Sequence, residues 1–307
     1  MRRARVRRRN IVADRRKIAA YAWVTLAAFL FAFMFALPKL ASHDGVLVAA
    51  VQVAFIRYAA GFLTIAPLYV LAPGAAARLR QPLRMMDGLH VVRALLGAVS
   101  VATGAYAVLH IPLANAQAIG ATSGVFGVAL AVIFLGERIG WRGVAAVLVS
   151  LAGALIVAEP RFGPSGFWFS AGATAAFCSA FMWGVDSIIL KFTSARDDPI
   201  RILMVINAVA ALALAGPAFF VWRDIATVDL ALLAAMGPVA IIGQYCNIRG
   251  FRLALSVDLV AVRYSGIVFA ALIGAALFDE WPNAAMVIGS LLVCGGALAA
   301  LGTRARE

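Results

Sequence analysis

Acidic side chains are scarce in this sequence: 14 Asp and Glu stand against 27 Lys and Arg, and charged residues of both signs make up only 13% of 307 positions. Soluble domains carry about a quarter of their residues as charges, so a soluble fold is excluded. Cysteine is sparse too. Cys178, Cys246 and Cys294 form no CxxC pair, and each falls within an apolar run. They read as small apolar packing residues rather than a disulfide framework or metal ligands. The three histidines, His43, His90 and His110, sit at the ends of apolar runs or in loops, and no HExxH occurs. The absence of a GxxxxGK[ST] loop removes the usual nucleotide-driven motor, so a gradient or an exchange must drive any transport. Ala121-Thr122-Ser123-Gly124 approaches the GxSG of intramembrane serine proteases. It lacks the first glycine, and no intramembrane histidine is available as base. An enzyme is therefore a remote alternative. A channel is another, without the rings of charge or carbonyl-rich filter that a pore needs. No cofactor or metal is expected.

What the chain has is apolar length. Hydrophobic residues make up 64%, and the mean hydropathy is +0.95. Ten apolar runs are readable, at 18–38, 47–71, 88–109, 112–135, 143–158, 167–190, 202–221, 230–248, 259–278 and 284–301. Most reach the length needed to cross about 30 Å of hydrocarbon, with 143–158 at the short limit. The fold class expected is an all-α membrane protein of ten transmembrane helices.

Positive charge orients it. With a cytoplasmic N-terminus, 21 of the 27 Lys and Arg fall in inner segments, nine of them in the basic tail 1–17. Lys39, Arg161 and Arg223 fall outside, and Arg57, Arg93 and Arg263 lie within spans. So strong an inner bias places both termini in the cytoplasm. The net charge of +13 is explained the same way, with some attraction to anionic lipid and no call for nucleic acid. The run that begins at Ile18 is too long for a signal peptide and reads as an uncleaved first span.

The two halves are related. Ala32-Phe33-Met34-Phe35-Ala36 matches Ala180-Phe181-Met182-Trp183-Gly184 at an offset of 148, and residues 121–137 align without a gap on 264–280 at an offset of 143. Each half holds five spans. An odd number inserts the second half upside-down, giving two inverted five-helix repeats, 18–158 and 166–301.

The stretch between Pro112 and Pro160 carries a resemblance. Its PLANAQAI (112–119), TSGVF (122–126), FLGERIGWR (134–142) and AEP (158–160) resemble the corner between the fourth and fifth spans of EamA-type drug/metabolite transporters. Gly124 departs from that pattern, in which proline is frequent. FIRYAAG (55–61) resembles the family's second span, where arginine at the place of Arg57 is usual. The resemblance implies a secondary transporter of small metabolites in a bacterial-type inner membrane, most readily an amino-acid exporter. A carrier that takes up or exchanges a nucleobase, nucleoside, vitamin or sugar is the alternative. It also implies that spans four and nine, with parts of one, three, six and eight, surround the cavity. Expected partners are the small-molecule substrate and membrane lipid, with a homodimer left open.

Polar residues inside spans are the site candidates, because each costs free energy there unless it works or pairs. Arg263, Tyr264 and Ser265 in span nine match Gly120, Ala121 and Thr122 in span four. Arginine offers a fork for a carboxylate and tyrosine a ring with one hydroxyl. Asn115 and Gln117 enter span four from outside, and Gln244, Tyr245 and Asn247 approach the inner end of span eight. Amides there line a cavity or cross-link helices. Trp23, Trp183 and Phe35 offer an aromatic wall. Asp186, the one carboxylate within a span, is a candidate coupling site or contact for a substrate amine, with Arg249 or Arg263 as alternative structural partners. Arg57 and Arg93 are expected to be structural charges, and Glu137 and Glu280 to cap helix junctions.

Overall fold

The computed structural model describes residues 2–42, 48–71, 85–135, 141–159, 161–163, 166–193, 199–253 and 262–304. Their backbone is helical apart from one short hairpin. In chain order the helices are α1 (Arg2–Leu40), α2 (Ala50–Leu71), α3 (Met85–His110), α4 (Leu113–Gly120), α5 (Ser123–Leu135) and α6 (Trp141–Ala158). Strands β1 (Arg161–Gly163) and β2 (Gly166–Trp168) follow, paired antiparallel. Then come α7 (Ala171–Thr193), α8 (Pro199–Phe220), α9 (Thr227–Leu253), α10 (Ser265–Phe278) and α11 (Ala284–Arg304). Among the described residues, six apolar stretches are long enough to cross a membrane: Ile18–Leu40, Ala50–Leu71, Gly88–His110, Ala171–Ile189, Ile200–Phe220 and Thr227–Gly250. Val144–Ala158, Ser265–Phe278 and Ala284–Gly296 are shorter apolar helices. Helix α1 runs from the basic segment into the first apolar run without a break. The hairpin over 161–168 was not anticipated from the sequence.

The expected span 112–135 is two helices, α4 and α5. Nothing in Ala121-Thr122-Ser123 looks like a helix breaker; the break comes from hydrogen bonding. The Thr122 amide and hydroxyl both donate to the Ile119 carbonyl, at 3.0 and 2.6 Å, and the Gly124 amide donates three residues back to Ala121 at 3.4 Å. A side-chain hydroxyl that competes for a helix carbonyl bends or interrupts the ladder. The second half does the same thing at matched positions. The Ser265 hydroxyl donates to the Val262 carbonyl at 2.6 Å, and the Ile267 amide donates to Tyr264 at 3.0 Å.

Packing among the helices is reciprocal. α1 lies on α9 and on α10; α7 lies on α3 and on α5. α2 packs on α9 and α3 on α8, while α2 pairs with α8 and α6 with α11. Small residues make these contacts close. A Cβ on Gly153 would stand 2.6 Å from the Gly289 carbonyl oxygen, and one on Gly296 would stand 2.6 Å from that of Ala146. The Ser150 hydroxyl also donates to the Val293 carbonyl at 3.1 Å. Between α3 and α7, Ser100 and Ser179 exchange hydrogen bonds: the Ser179 hydroxyl donates to the Ser100 carbonyl at 2.8 Å, and the Ser100 hydroxyl lies 3.1 Å from the Ser179 carbonyl. In a bilayer such close approach and cross-bonding drive association, because lipid provides no hydrophobic force between helices.

Glu280 ties three helix ends together. Asp279 closes α10 in the left-handed conformation (φ 54°), which lets the Glu280 amide reach the Gly274 carbonyl at 3.1 Å. The Glu280 carboxylate then accepts the Leu113 amide at 2.9 Å, at the start of α4, and pairs with the Lys39 ammonium at the end of α1. Its repeat match, Glu137, lies outside the described residues. Glu280→Ala is expected to destabilise the protein by about 1–3 kcal/mol, the range for a charge-assisted bond to a helix amide. Glu280→Gln keeps an acceptor for Leu113 and should lose less; equal unfolding midpoints for the two variants would contradict this.

Candidate functional site

Two groups of polar side chains lie on the inward-packing helices. The first is built on α2, α3, α7 and α8. Arg93 and Asp186 form a forked ion pair, with the Arg93 Nε 2.8 Å from Asp186 Oδ1 and Nη2 3.3 Å from Oδ2. Arg93 is buried and Asp186 nearly so. The pair exists because α3 packs along α7, held there by the Ser100–Ser179 exchange two turns away. Neither Arg249 nor Arg263, the partners expected from membrane depth, takes this place. Arg249 donates to the Tyr245 hydroxyl at 2.8 Å, and Arg263 is exposed.

Arg57 is also buried, at 3% exposure. Its Nη1 donates to Asn207 Oδ1 at 3.2 Å, and its guanidinium stacks 4.0 Å from the centre of the Tyr58 ring. Asn207 is held in turn by its amide bond to the Leu203 carbonyl at 2.7 Å. The buried Tyr58 hydroxyl lies 2.7 Å from where a Cβ on Gly97 would be, one helical turn beyond Arg93. Arg57, Tyr58, Arg93, Asp186 and Asn207 thus form one cluster across four helices. Asn207 went unremarked in the sequence. The signal was available, because a buried arginine on α2 requires polar partners.

The second group faces the break in span four. A Cβ on Gly120 would meet nothing within 4 Å, and one on Gly124 would meet only the Tyr264 hydroxyl, at 3.6 Å. Gln117 lies three residues before Gly120, on the same helical side, and is half-buried. The two helix breaks therefore bring Gly124 and Tyr264 together, with Gln117 one turn before the open face at Gly120. Their neighbour is again α7: the Ser123 carbonyl is 3.2 Å from the Cβ position of Gly184, two residues before Asp186.

The remaining candidates do not join these groups. Ser265 spends its hydroxyl on Val262, and Asn115 donates to the Val157 carbonyl of α6 at 3.4 Å. Gln244 and Asn247 are placed on α9, outside both groups. Trp23 packs edge-on against Tyr245, with ring centres 6.3 Å apart. Trp183 is half-buried, as is Phe35, which packs between two apolar clusters.

The model of the EamA-like transporter family matches residues 18–158 and matches again over 170–302. The chain belongs to the EamA-like transporter family. It is a multi-pass membrane transporter and not an enzyme, and its partner is a small-molecule substrate. The pseudopaline exporter CntI of Pseudomonas aeruginosa PAO1 is 34% identical to this EamA-like transporter over 273 residues, 87% of this chain and 90% of the relative. A riboflavin transporter of Brucella anthropi is 26% identical over 80% of this chain and 87% of its own. An S-adenosylmethionine uptake transporter of Rickettsia bellii is 22% identical over 79% and 80%. A solved crystal structure superposes with a TM-score of 0.60 at 23% identity, covering 92% of this chain and 98% of the other. At that identity it speaks for the fold.

Proposed function

We propose that this EamA-like transporter exports an amino acid or a related small metabolite across a bacterial inner membrane by alternating access. The observation that carries this reading is the exporter from P. aeruginosa, alike over most of both chains. The proposed architecture is ten spans in two inverted five-helix repeats, 18–158 and 166–301, with both termini cytoplasmic. Reciprocal packing supports it: α1 on α9 and α10 is answered by α7 on α3 and α5, as exchange of the halves requires. So do the two helix breaks made by the same bonds at matched residues. Inverted repeats place a substrate near the bilayer midplane and let the halves rock around it. Lipid is the surrounding partner, and a homodimer is compatible with the exposed apolar faces.

In this reading Tyr264 and Gln117 contact the substrate over the space beside Gly124. Arg263 adjoins Tyr264 as a further contact, Ser265 acts by breaking its helix there, and Asp186 is the coupling site or the contact for a substrate amine. Gly124→Leu, which would fill the space in front of the Tyr264 hydroxyl, is expected to cut transport at least about tenfold, a loss of roughly 1.4 kcal/mol in binding. Gly120→Ala, with open space around it, should leave the unfolding midpoint unchanged. Wild-type transport by Gly124→Leu would remove this face from the site.

Counterflow in proteoliposomes tests the function. Separate unlabelled pools of amino acids, vitamins, nucleosides and sugars are loaded against matched labelled tracers. Accumulation with the amino-acid pool is the expected result. A signal with the vitamin pool would favour the second reading, suggested by the riboflavin transporter likeness. Silence in every pool, from correctly folded protein, would count against a carrier of these metabolites.

A further inference from the structure

We infer that the cluster of Arg57, Tyr58, Arg93, Asp186 and Asn207 is a binding site for one carboxylate group of the transported metabolite, with the Arg57 and Arg93 guanidiniums as its donors. This rests on the reading of the chain as a metabolite carrier. Two counts lead to it, one of charge and one of donors.

The charge count leaves an excess. Among the described residues of the cluster, two guanidiniums, both more than nine-tenths buried, share a single carboxylate, Asp186, which is spent on Arg93. Arg57 faces only a neutral amide and a tyrosine ring. A stacked ring and one amide oxygen soften a guanidinium charge but do not neutralise it. The cluster therefore carries one net positive charge in the apolar interior of the helices, where an uncompensated ion is costly. A second charge of opposite sign would complete it. A cationic ligand would make the excess worse, and a dianion would reverse it.

The donor count agrees. Arg57 Nε and Arg93 Nη1 are both buried without a hydrogen-bond partner among the described residues, whereas arginine donors in closed sites are normally satisfied. These are one open donor on each guanidinium, and the Tyr58 side chain spans from Arg57, which stacks on its ring, to Gly97 on the helix of Arg93, one turn beyond it. A carboxylate brings one negative charge and two acceptor oxygens, matching both shortfalls.

The test pairs each carboxylate with its neutral amide. L-phenylalanine is set against L-phenylalaninamide, and N-acetyl-L-phenylalanine against N-acetyl-L-phenylalaninamide. Each is used to compete with the tracer that gives counterflow and to shift the unfolding midpoint of the purified full-length protein. In wild type, both carboxylates are expected to act at concentrations about tenfold or more below their amides. Arg57→Gln and Arg93→Gln should each erase most of that preference. Because the wild-type comparison needs no variant, a variant that fails to fold leaves it standing. Equal potency of acid and amide would overturn the site while leaving transport intact. A chloride-induced shift as large as that of the carboxylates would also overturn it, as an adventitious ion only. If counterflow fails in every pool, the transport reading falls, and the midpoint shifts still decide on the carboxylate site.

Discussion

Asp186→Asn is expected to unfold at a markedly lower temperature than wild type and to transport poorly. Asparagine keeps an oxygen near Arg93 Nε but removes the charge that the guanidinium faces. Arg93 is 7% exposed, so it cannot turn to water without moving α3 away from α7. Breaking a buried ion pair on one side costs about 3–5 kcal/mol, and the partial exposure of Asp186 favours the lower end. The double variant Arg93→Gln, Asp186→Asn removes both charges and is expected to regain most of the stability, because neither member of the pair is left facing an empty place. Transport separates the roles. If the pair only holds α3 to α7, the double variant should transport as well as it folds. If the cluster belongs to the transport site, stability returns and transport does not. Thermal midpoints and counterflow rates on the three proteins decide it, and a single variant as stable as wild type would show that the pair is not buried together.

The pairing itself marks the limit of what the sequence conveys. Depth in the membrane can be expected from it: Asp186 is expected near the inner end of its span, with Arg249 and Arg263 at similar depth. Depth does not say which helices are neighbours. That is set by the small residues of α3 and α7, where Ser100 and Ser179 are one pair of many unremarkable serines in spans. The same limit hides Asn207 as the partner of Arg57. Apolar length and the halves' relationship are more legible, because both are periodic properties of the chain. The offset of 143 pairs Thr122 with Ser265 by sequence alone. What that match does not convey is that both hydroxyls turn back onto their own helix and break it. The break needs no proline or glycine, so composition gives no warning. It also opens the face at Gly120 and Gly124, which the linear pattern presents only as small residues suited to packing.

Gly153→Leu is expected to have the other large effect. A helix crossing as close as that of α6 and α11 has no give at its centre. A Cβ at Gly153 would stand 2.6 Å from the Gly289 carbonyl oxygen and 2.7 Å from the Val293 amide nitrogen. Those are main-chain atoms, and no side-chain rotation relieves the overlap. Overpacking a well-filled contact costs about 1–3 kcal/mol where side chains can adjust, so backbone overlap should reach the upper end or pass it. Separating the helices would also break the Ser150–Val293 bond and pull Gly296 from Ala146, on the far side of the same crossing. Gly295→Ala is the control: its Cβ would meet nothing within 4 Å, and exposed substitutions stay within about 0.5 kcal/mol. Folded yield and unfolding midpoint of the two variants provide the comparison. Should Gly153→Leu match Gly295→Ala in both, α6 and α11 do not cross at these glycines, and the most self-related contact between the two halves is lost as support for their inverted arrangement.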